Sequence, residues 1–273
     1  EAPGALGDAA LALLAGSRAD RALELAGRGG ALATAAEDRS RLACLAGDIL
    51  LDLGRAGAAL KAYAAALESA PDETASCRAR IGLAGAMRLV DRLDEAMSEL
   101  ALAEPVAARL GLMAEQAALH HLRGNLHFPA GRSEECLAEH ERSLRAAEAS
   151  GRPELVARAL GGIGDATYAQ GRMLKALESF AGCVAMAQAH GLGRIEVANR
   201  GMVAICRCLA GPMASAHEEA DTAVALARKV GQPRAEIIAC HAASLPAQWQ
   251  LDLEQARAHI GRADELTARI GAR

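Results

Sequence analysis

The chain has 273 residues, of which 52% are hydrophobic and only 2% aromatic, and its formal net charge is −4. Acidic and basic residues are mixed along every segment, which argues against the basic face of a nucleic-acid-binding protein, and no run approaches the roughly 18 apolar residues of a membrane span. A β-sandwich or barrel needs more aromatic and β-branched residues, so the composition favours helices packed at close range.

Glycines recur at a fixed interval through much of the chain. Gly111, Gly151, Gly191, Gly231 and Gly271 stand forty residues apart. A fixed period of about 20 to 50 residues is typical of repeat proteins, in which each repeat is one supersecondary unit stacked on the next. The interval therefore predicts a stack of helical hairpins.

A second series of small residues lies in phase with these glycines. Gly124 is followed twelve residues later by Cys136 and, after seven more, by Ser143, and the other members have small followers at the same spacings. Small side chains at a helix crossing let the two axes approach closely, whereas leucine would push them apart. The predicted packing positions are Gly47, Ala84, Gly124, Gly164, Ala204 and Ser244.

Together the two series predict an all-α fold, a right-handed α-solenoid of about seven antiparallel helix–turn–helix repeats. Each repeat consists of a helix A, a short turn and a helix B, and residues 1–273 form a single superhelical array. In chain order, the predicted repeats span residues 3–36, 38–71, 73–110, 112–150, 152–190, 192–230 and 232–271.

Turn residues mark the ends of the predicted helices. Glycine suits the left-handed residue that ends a helix, and proline cannot continue one. The glycines forty residues apart are expected to end helices B, and Pro153 and Pro233 to begin the next helices A. The predicted turns between helices A and B are Gly16-Ser17, Gly54-Arg55, Asp91-Arg92, Gly131-Arg132, Gly171-Arg172, Gly211-Pro212 and Leu251-Asp252.

This arrangement resembles the tetratricopeptide repeat (TPR). In that family small residues recur at the positions filled here by Gly124, Cys136 and Ser143, and a large residue follows the second of them by four, as Tyr63 and Phe180 do in their repeats. The forty-residue variant is similar to the Leu-Gly-Asn repeats of receptor-coupled signalling adaptors, and residues 122–125 are its nearest copy. The resemblance implies a fold that binds protein segments.

Three stretches carry a narrower resemblance. Residues 134–142, 159–165 and 193–199 look like the carboxy-terminal repeat region of bacterial proteins that join a class III adenylate or guanylate cyclase domain to an ATPase module. The chain itself contains neither catalytic module. The resemblance implies the regulatory or sensory arm of a larger signalling protein.

Candidate chemical motifs are weak. The glycine-rich run 161–164 lacks a preceding strand and the Gly-Lys-Ser/Thr of a phosphate-binding loop. His120, His121 and His127 have no cysteine or acidic residue at a spacing that completes a metal site, and Cys206 and Cys208 lack the two-residue gap of a redox or zinc pair. We therefore expect no catalytic residue, cofactor or metal.

The helices A are expected to line the concave face, the usual ligand groove of such arrays. Residues six and three before, and one and four after, each packing position share one helix face. In the second repeat this face contains Arg41, Cys44, Asp48 and Leu51, and in the last two repeats it becomes apolar. The predicted groove residues are Arg78, Arg88, His121, Asn125, Phe128, Arg158, Asp165 and Tyr168, expected to form one continuous strip.

These observations predict a non-catalytic scaffold that binds a protein or peptide segment, or other domains of its own full-length protein, in its groove. An alternative is a ligand-sensing regulatory TPR domain of a bacterial transcriptional activator. The apolar carboxy-terminal half either receives the hydrophobic end of the segment or is covered by a neighbouring domain or a second copy, as in a homodimer. A third interpretation is that packing and solubility alone fix this face. Seven cysteines without framework spacing favour the reducing cytoplasm.

Overall fold

The structure is a computed structural model that describes residues 2–15, 18–211 and 213–270. These residues form fourteen α-helices and no strand. None of the helices in these ranges has the length and apolar character that crossing a bilayer requires. In chain order the helices are α1 (Pro3–Ala15), α2 (Ala19–Leu32), α3 (Ala36–Asp52), α4 (Ala56–Glu68), α5 (Glu73–Leu89), α6 (Leu93–Arg109), α7 (Met113–His127), α8 (Ser133–Ser150), α9 (Pro153–Ala169), α10 (Met173–Ala189), α11 (Gly193–Ala210), α12 (Met213–Val230), α13 (Pro233–Trp249) and α14 (Leu253–Ile270).

The chain divides into two compact units, an amino-terminal unit (residues 1–126) and a carboxy-terminal unit (residues 127–273). In the amino-terminal unit α1 packs on α2, α3 on α4 and α5 on α6, and α3 also contacts both α1 and α5. In the carboxy-terminal unit α9 packs on α10, α11 on α12 and α13 on α14, and α11 also contacts both α9 and α13. Odd-numbered helices are therefore helices A, and they pack side by side within each unit. That all seven repeats form one continuous array stays a prediction.

Left-handed residues end the helices where glycine was expected. Gly54, Gly131 and Gly171 have φ between 69° and 74° in the turns from helix A to helix B, and Gly111, Gly151, Gly191 and Gly231 have φ between 64° and 68° after helices B. Asp91 (φ 62°) and Leu251 (φ 60°) adopt the same conformation without being glycine. Pro153 and Pro233 begin α9 and α13.

One turn differs from the expectation. Gly211 follows α11 with φ −136° and ψ −172°, which is extended and not left-handed. The next residue in the sequence is proline, which disfavours helical conformations in the residue before it and drives that residue to extended backbone. The predicted turn residues Gly16, Ser17 and Pro212, and the last period glycine, Gly271, lie outside the described residues.

In two repeats an aromatic side chain on helix B packs directly against a glycine on helix A. A Cβ atom placed on Gly47 of α3 would lie 2.6 Å from Cζ of Tyr63, on α4. In the fifth repeat a Cβ atom placed on Gly164 of α9 would lie 2.6 Å from Cδ1 of Phe180, on α10. Both rings are fully buried. Because a side chain at either glycine would overlap a buried ring, these two positions admit only glycine without rearrangement.

Candidate functional site

In the amino-terminal unit, the predicted groove residues lie on α5 and α7. Arg78 is exposed, and its Nε donates to Oε1 of Glu115 at 2.6 Å, so this guanidinium joins α5 to α7. The Nδ2 atom of Asn125 lies 3.1 Å from Nε2 of His121, one turn earlier on α7. Both of these side chains, like Arg88 near the end of α5, are half-buried. Arg78, the most exposed of these four residues, therefore already forms an ion pair within the chain.

In the carboxy-terminal unit, three of the predicted residues form a stripe on one face of α9. Arg158 is exposed and forms no hydrogen bond or ion pair within the described part of the chain, while Asp165 and Tyr168 are half-buried. Asp165 follows Arg158 by seven residues, which places the two side chains roughly 10 Å apart along the helix. Phe128, just after α7, is exposed. The α9 stripe (Arg158, Asp165 and Tyr168) thus presents two charges of opposite sign.

Four of the predicted groove residues lie in each unit. Arg78, Arg88, His121 and Asn125 belong to the amino-terminal unit. Phe128, Arg158, Asp165 and Tyr168 belong to the carboxy-terminal unit. A continuous strip through all eight stays a prediction.

Burial sets the charge state of Asp165. It raises the pKa of the carboxyl to about 7. The titratable groups around it are thiols from the three helices packed against α9: Cys136 on α8, Cys183 on α10 and Cys206 on α11. All three thiols are buried, and burial also raises their pKa, to between about 11 and about 12. Asp165 is therefore the one group of this cluster that titrates near neutral pH.

The neighbouring face of α11 and α13 is mixed and not uniformly apolar. Ile205, Ile238 and Leu245 are half-buried, whereas His241 and Gln248 are exposed. Gly201 lies against α13, since a Cβ atom placed on it would lie 2.9 Å from Cγ2 of Ile238. Apolar side chains of a ligand can therefore pack on this face between its exposed polar side chains.

Packing accounts for the weak chemical motifs. In the glycine-rich run, Gly162 lies against the ring of His140, and Gly164 against Phe180. His140 is fully buried, and burial lowers its pKa to about 4, which keeps the imidazole neutral. All seven cysteines are free, and six are buried. In the described ranges no three metal-ligating side chains come together.

Comparison with known proteins supports the repeat architecture. Residues 115–189 match the family model of the tetratricopeptide repeat. No curated protein sequence matches the chain significantly. The chain is a helical repeat protein, and its similarity to solved structures, at identities of 13% to 14%, concerns the fold alone.

Three solved structures illustrate this similarity. A signal transduction ATPase with numerous domains (STAND) protein with a tetratricopeptide repeat sensor, from Pyrococcus horikoshii, is 13% identical with a TM-score of 0.65, over 96% of this chain and 41% of that one. A Rap protein complexed with competence and sporulation factor is 14% identical with a TM-score of 0.68, over 92% and 80%. The Rap conjugation gene regulator of plasmid pLS20, in complex with the Phr* peptide, is 13% identical with a TM-score of 0.64, over 86% and 75%. The chain thus spans less than half of the STAND protein.

The sequence analysis does not predict the hydrogen bond from the hydroxyl of Tyr63 to Asp48, which the fifth repeat cannot copy at Asp165. Tyr63 and Phe180 occupy the same position in their repeats, but only Tyr63 carries a hydroxyl. The repeat spacing contains this signal, because it aligns Gly47-Asp48 with Gly164-Asp165.

Proposed function

We propose that the chain is a non-catalytic scaffold that binds a protein segment on the faces of its helices A. The observation that carries this proposal is the α9 stripe, where Arg158 and Asp165 have no partner within the described chain. Charged side chains that stand together without internal partners offer directional contacts to a ligand. Tyr168 adds a rigid aromatic surface that can pack on the same ligand.

The comparisons support this class of ligand. The plasmid pLS20 Rap regulator is named as a complex with a peptide, and the other Rap structure as a complex with competence and sporulation factor. On this chain the ligand would carry an acidic group for Arg158 and apolar groups for the half-buried side chains of α11 and α13. In the amino-terminal unit, Arg88, His121 and Asn125 would make polar contacts of the same kind.

The proposal extends to the cellular setting. The likeness in fold to a STAND protein with a repeat sensor supports a regulatory arm in a larger signalling protein. Seven free cysteines suit a reducing cytoplasm. A cyclase or ATPase domain elsewhere in the full-length gene would support this role.

One observation favours a second candidate, the sensory domain of a transcriptional regulator, because a gene regulator of similar fold is known with a bound peptide. A DNA-binding domain in the full-length gene would support that candidate instead. A sensory domain of this kind binds a small molecule or an inhibitory partner, so the peptide-binding experiment tests the first candidate directly and the second only where its partner is a protein segment.

Self-association is the competing way to cover apolar surface. Trp249, Leu251 and Leu253, around the turn between α13 and α14, are 51%, 80% and 58% exposed. A homodimer through this region would appear as a doubled mass in light scattering, and Leu251→Ser with Leu253→Ser would abolish it. A monomeric wild type would exclude this interpretation.

The test of segment binding is selection from a library of random displayed peptides on the immobilised chain. The affinity of a selected synthetic peptide is then measured for wild type, Arg158→Ala and, as a control, Arg172→Ala. Arg172 is also exposed in the fifth repeat but lies in the turn before α10. We expect Arg158→Ala to weaken binding about two- to fivefold, as for an exposed ion pair, and the effect to shrink as salt rises. Equal affinities for all three proteins, or no selected peptide, would contradict the proposal.

A further inference from the structure

The second and fifth repeats share a local arrangement. Each has glycine followed by aspartate on helix A, Gly47-Asp48 on α3 and Gly164-Asp165 on α9. Each has an aromatic ring on helix B that packs directly on that glycine, at the same hypothetical Cβ distance of 2.6 Å. The second repeat is therefore an internal reference for the environment of Asp165.

The two repeats differ in whether the aromatic ring carries a hydroxyl that donates a hydrogen bond to the aspartate. The hydroxyl of Tyr63 donates to Oδ1 of Asp48 at 2.6 Å. In the fifth repeat the ring is Phe180, which has no hydroxyl. Asp165 accordingly has no hydrogen bond and no ion pair within the described part of the chain.

Asp165 is also exceptional among the carboxyl groups of its own unit's helices A. The other three carboxyl groups on α9, α11 and α13 are ion-paired, and even Glu236, which is only 5% exposed, has two guanidinium partners. The ion pairs are Glu154 with Arg152, Glu196 with Arg200, and Glu236 with Arg228 and Arg262.

An unpartnered, half-buried carboxylate is unfavourable because burial removes water without supplying a donor. The nearby thiols of Cys136, Cys183 and Cys206 are weak donors and cannot replace a hydroxyl or a guanidinium. A ligand that brings a positive charge would supply both the donor and the counter-charge, and such charge-assisted hydrogen bonds are the strong ones.

We infer that Asp165 binds a lysine or arginine side chain of the bound segment, an inference that rests on the proposed function. Arg158 lies two helical turns away on the same stripe and would bind an acidic group of that segment. The segment would thus carry a basic and an acidic group roughly 10 Å apart. The chain would select its partner by this pair of charges. Tyr168 lies one turn beyond Asp165 on the same stripe and would pack on the segment there, and the face of α11 and α13 would bind its apolar residues.

The experiment uses the full chain, the random displayed peptide library and two variants, Asp165→Asn and Phe180→Tyr. Asp165→Asn removes the charge. Phe180→Tyr copies the second repeat and supplies an internal donor to Asp165 while it keeps the ring that fills the space at Gly164. A peptide selected on wild type is synthesised with its basic residue and with a neutral isostere, citrulline for arginine or norleucine for lysine.

We expect the neutral isostere to lower the affinity of wild type about tenfold, the size of a charged hydrogen bond. The same replacement should change the affinities of Asp165→Asn and Phe180→Tyr less than twofold. Circular dichroism melts confirm that each variant is folded, and either variant alone suffices for the comparison.

Two results overturn the inference and differ from each other. In the first result, the selected peptides contain no basic residue, or neutralising that residue lowers the affinity equally for wild type and both variants. Asp165 then does not bind a basic side chain, although segment binding stands. If wild type selects no peptide above the bare support, the proposed function fails and the inference fails with it.

Discussion

At the scale of single residues, Gly164 and Phe180 show how closely helices A and B approach. We predict that Gly164→Ala destabilises the protein by about 1–3 kcal/mol, because the added Cβ would overlap a fully buried ring that has no room to move. The control is Gly261→Ala on α14, where nothing lies within 4 Å of the added Cβ. Alanine there should raise stability by about 0.5–1 kcal/mol through helix propensity. Urea unfolding measures both changes, and the reverse order would show that the packing assignment is wrong.

Asp165 gives a second residue-scale prediction, a pH dependence of stability. Burial raises its pKa from 3.8 to about 7, so between these values the folded chain holds a proton that the unfolded chain has released. Stability therefore falls as pH rises through this window and is lowest above it. The thiols that face Asp165 from α8, α10 and α11 keep their protons throughout, because burial raises their pKa values to about 11 or above.

The measurement compares the unfolding free energies of wild type and Asp165→Asn at about pH 5 and about pH 8. Taking the difference in unfolding free energy between the two proteins cancels the contributions of titratable groups that both contain, such as His140. We expect the asparagine variant to gain stability relative to wild type at the higher pH. An unchanged difference would show that the carboxyl is already solvated or paired.

At the scale of elements, the turn between α13 and α14 stores strain. Leu251 has φ 60°, a conformation that costs an L-residue roughly 1–2 kcal/mol, and its side chain is 80% exposed, so it gains little from packing. Leu251→Gly should raise stability by about 1 kcal/mol. Gly171→Leu, at the equivalent turn with φ 74°, should lower it by a similar amount. Thermal unfolding midpoints that move in the opposite directions would contradict this interpretation.

The last three helices are joined by a buried carboxylate. Glu236 on α13 accepts from Nε of Arg228 on α12 at 3.0 Å and from Nε of Arg262 on α14 at 2.9 Å. Although its burial acts to raise the pKa, these hydrogen bonds hold it below its ordinary value. Glu236→Gln should cost about 1.5–3 kcal/mol, whereas Glu265→Gln, which removes an exposed contact to Arg262 at 3.4 Å, should cost under about 1 kcal/mol. Equal losses in denaturant unfolding would mean that Glu236 is not a link between these helices.

At the scale of the whole molecule, repeat spacing predicted the fold better than it predicted the site. Gly151 and Pro153 specify where one helix ends and the next begins because backbone conformation is a local property. The ion pair between Arg78 and Glu115 joins residues 37 apart, and no spacing rule indicates which acidic residue an arginine will contact. For Asp165 the spacing aligns Phe180 with Tyr63, but only the structure shows that the Tyr63 hydroxyl donates to the aspartate of its repeat and that no other group replaces it at Asp165 within the described residues.

Segment binding on the helix A face is tested most directly by mapping where a selected peptide contacts the isotope-labelled chain, using amide chemical shifts. We predict that the largest shifts fall on α9 between Arg158 and Tyr168 and on the adjoining part of α11 around Ile205. Amides on the exposed side of α10, such as that of Lys175, should stay unchanged. Shifts concentrated on α10 and α12, with α9 unaffected, would contradict binding on the helix A face.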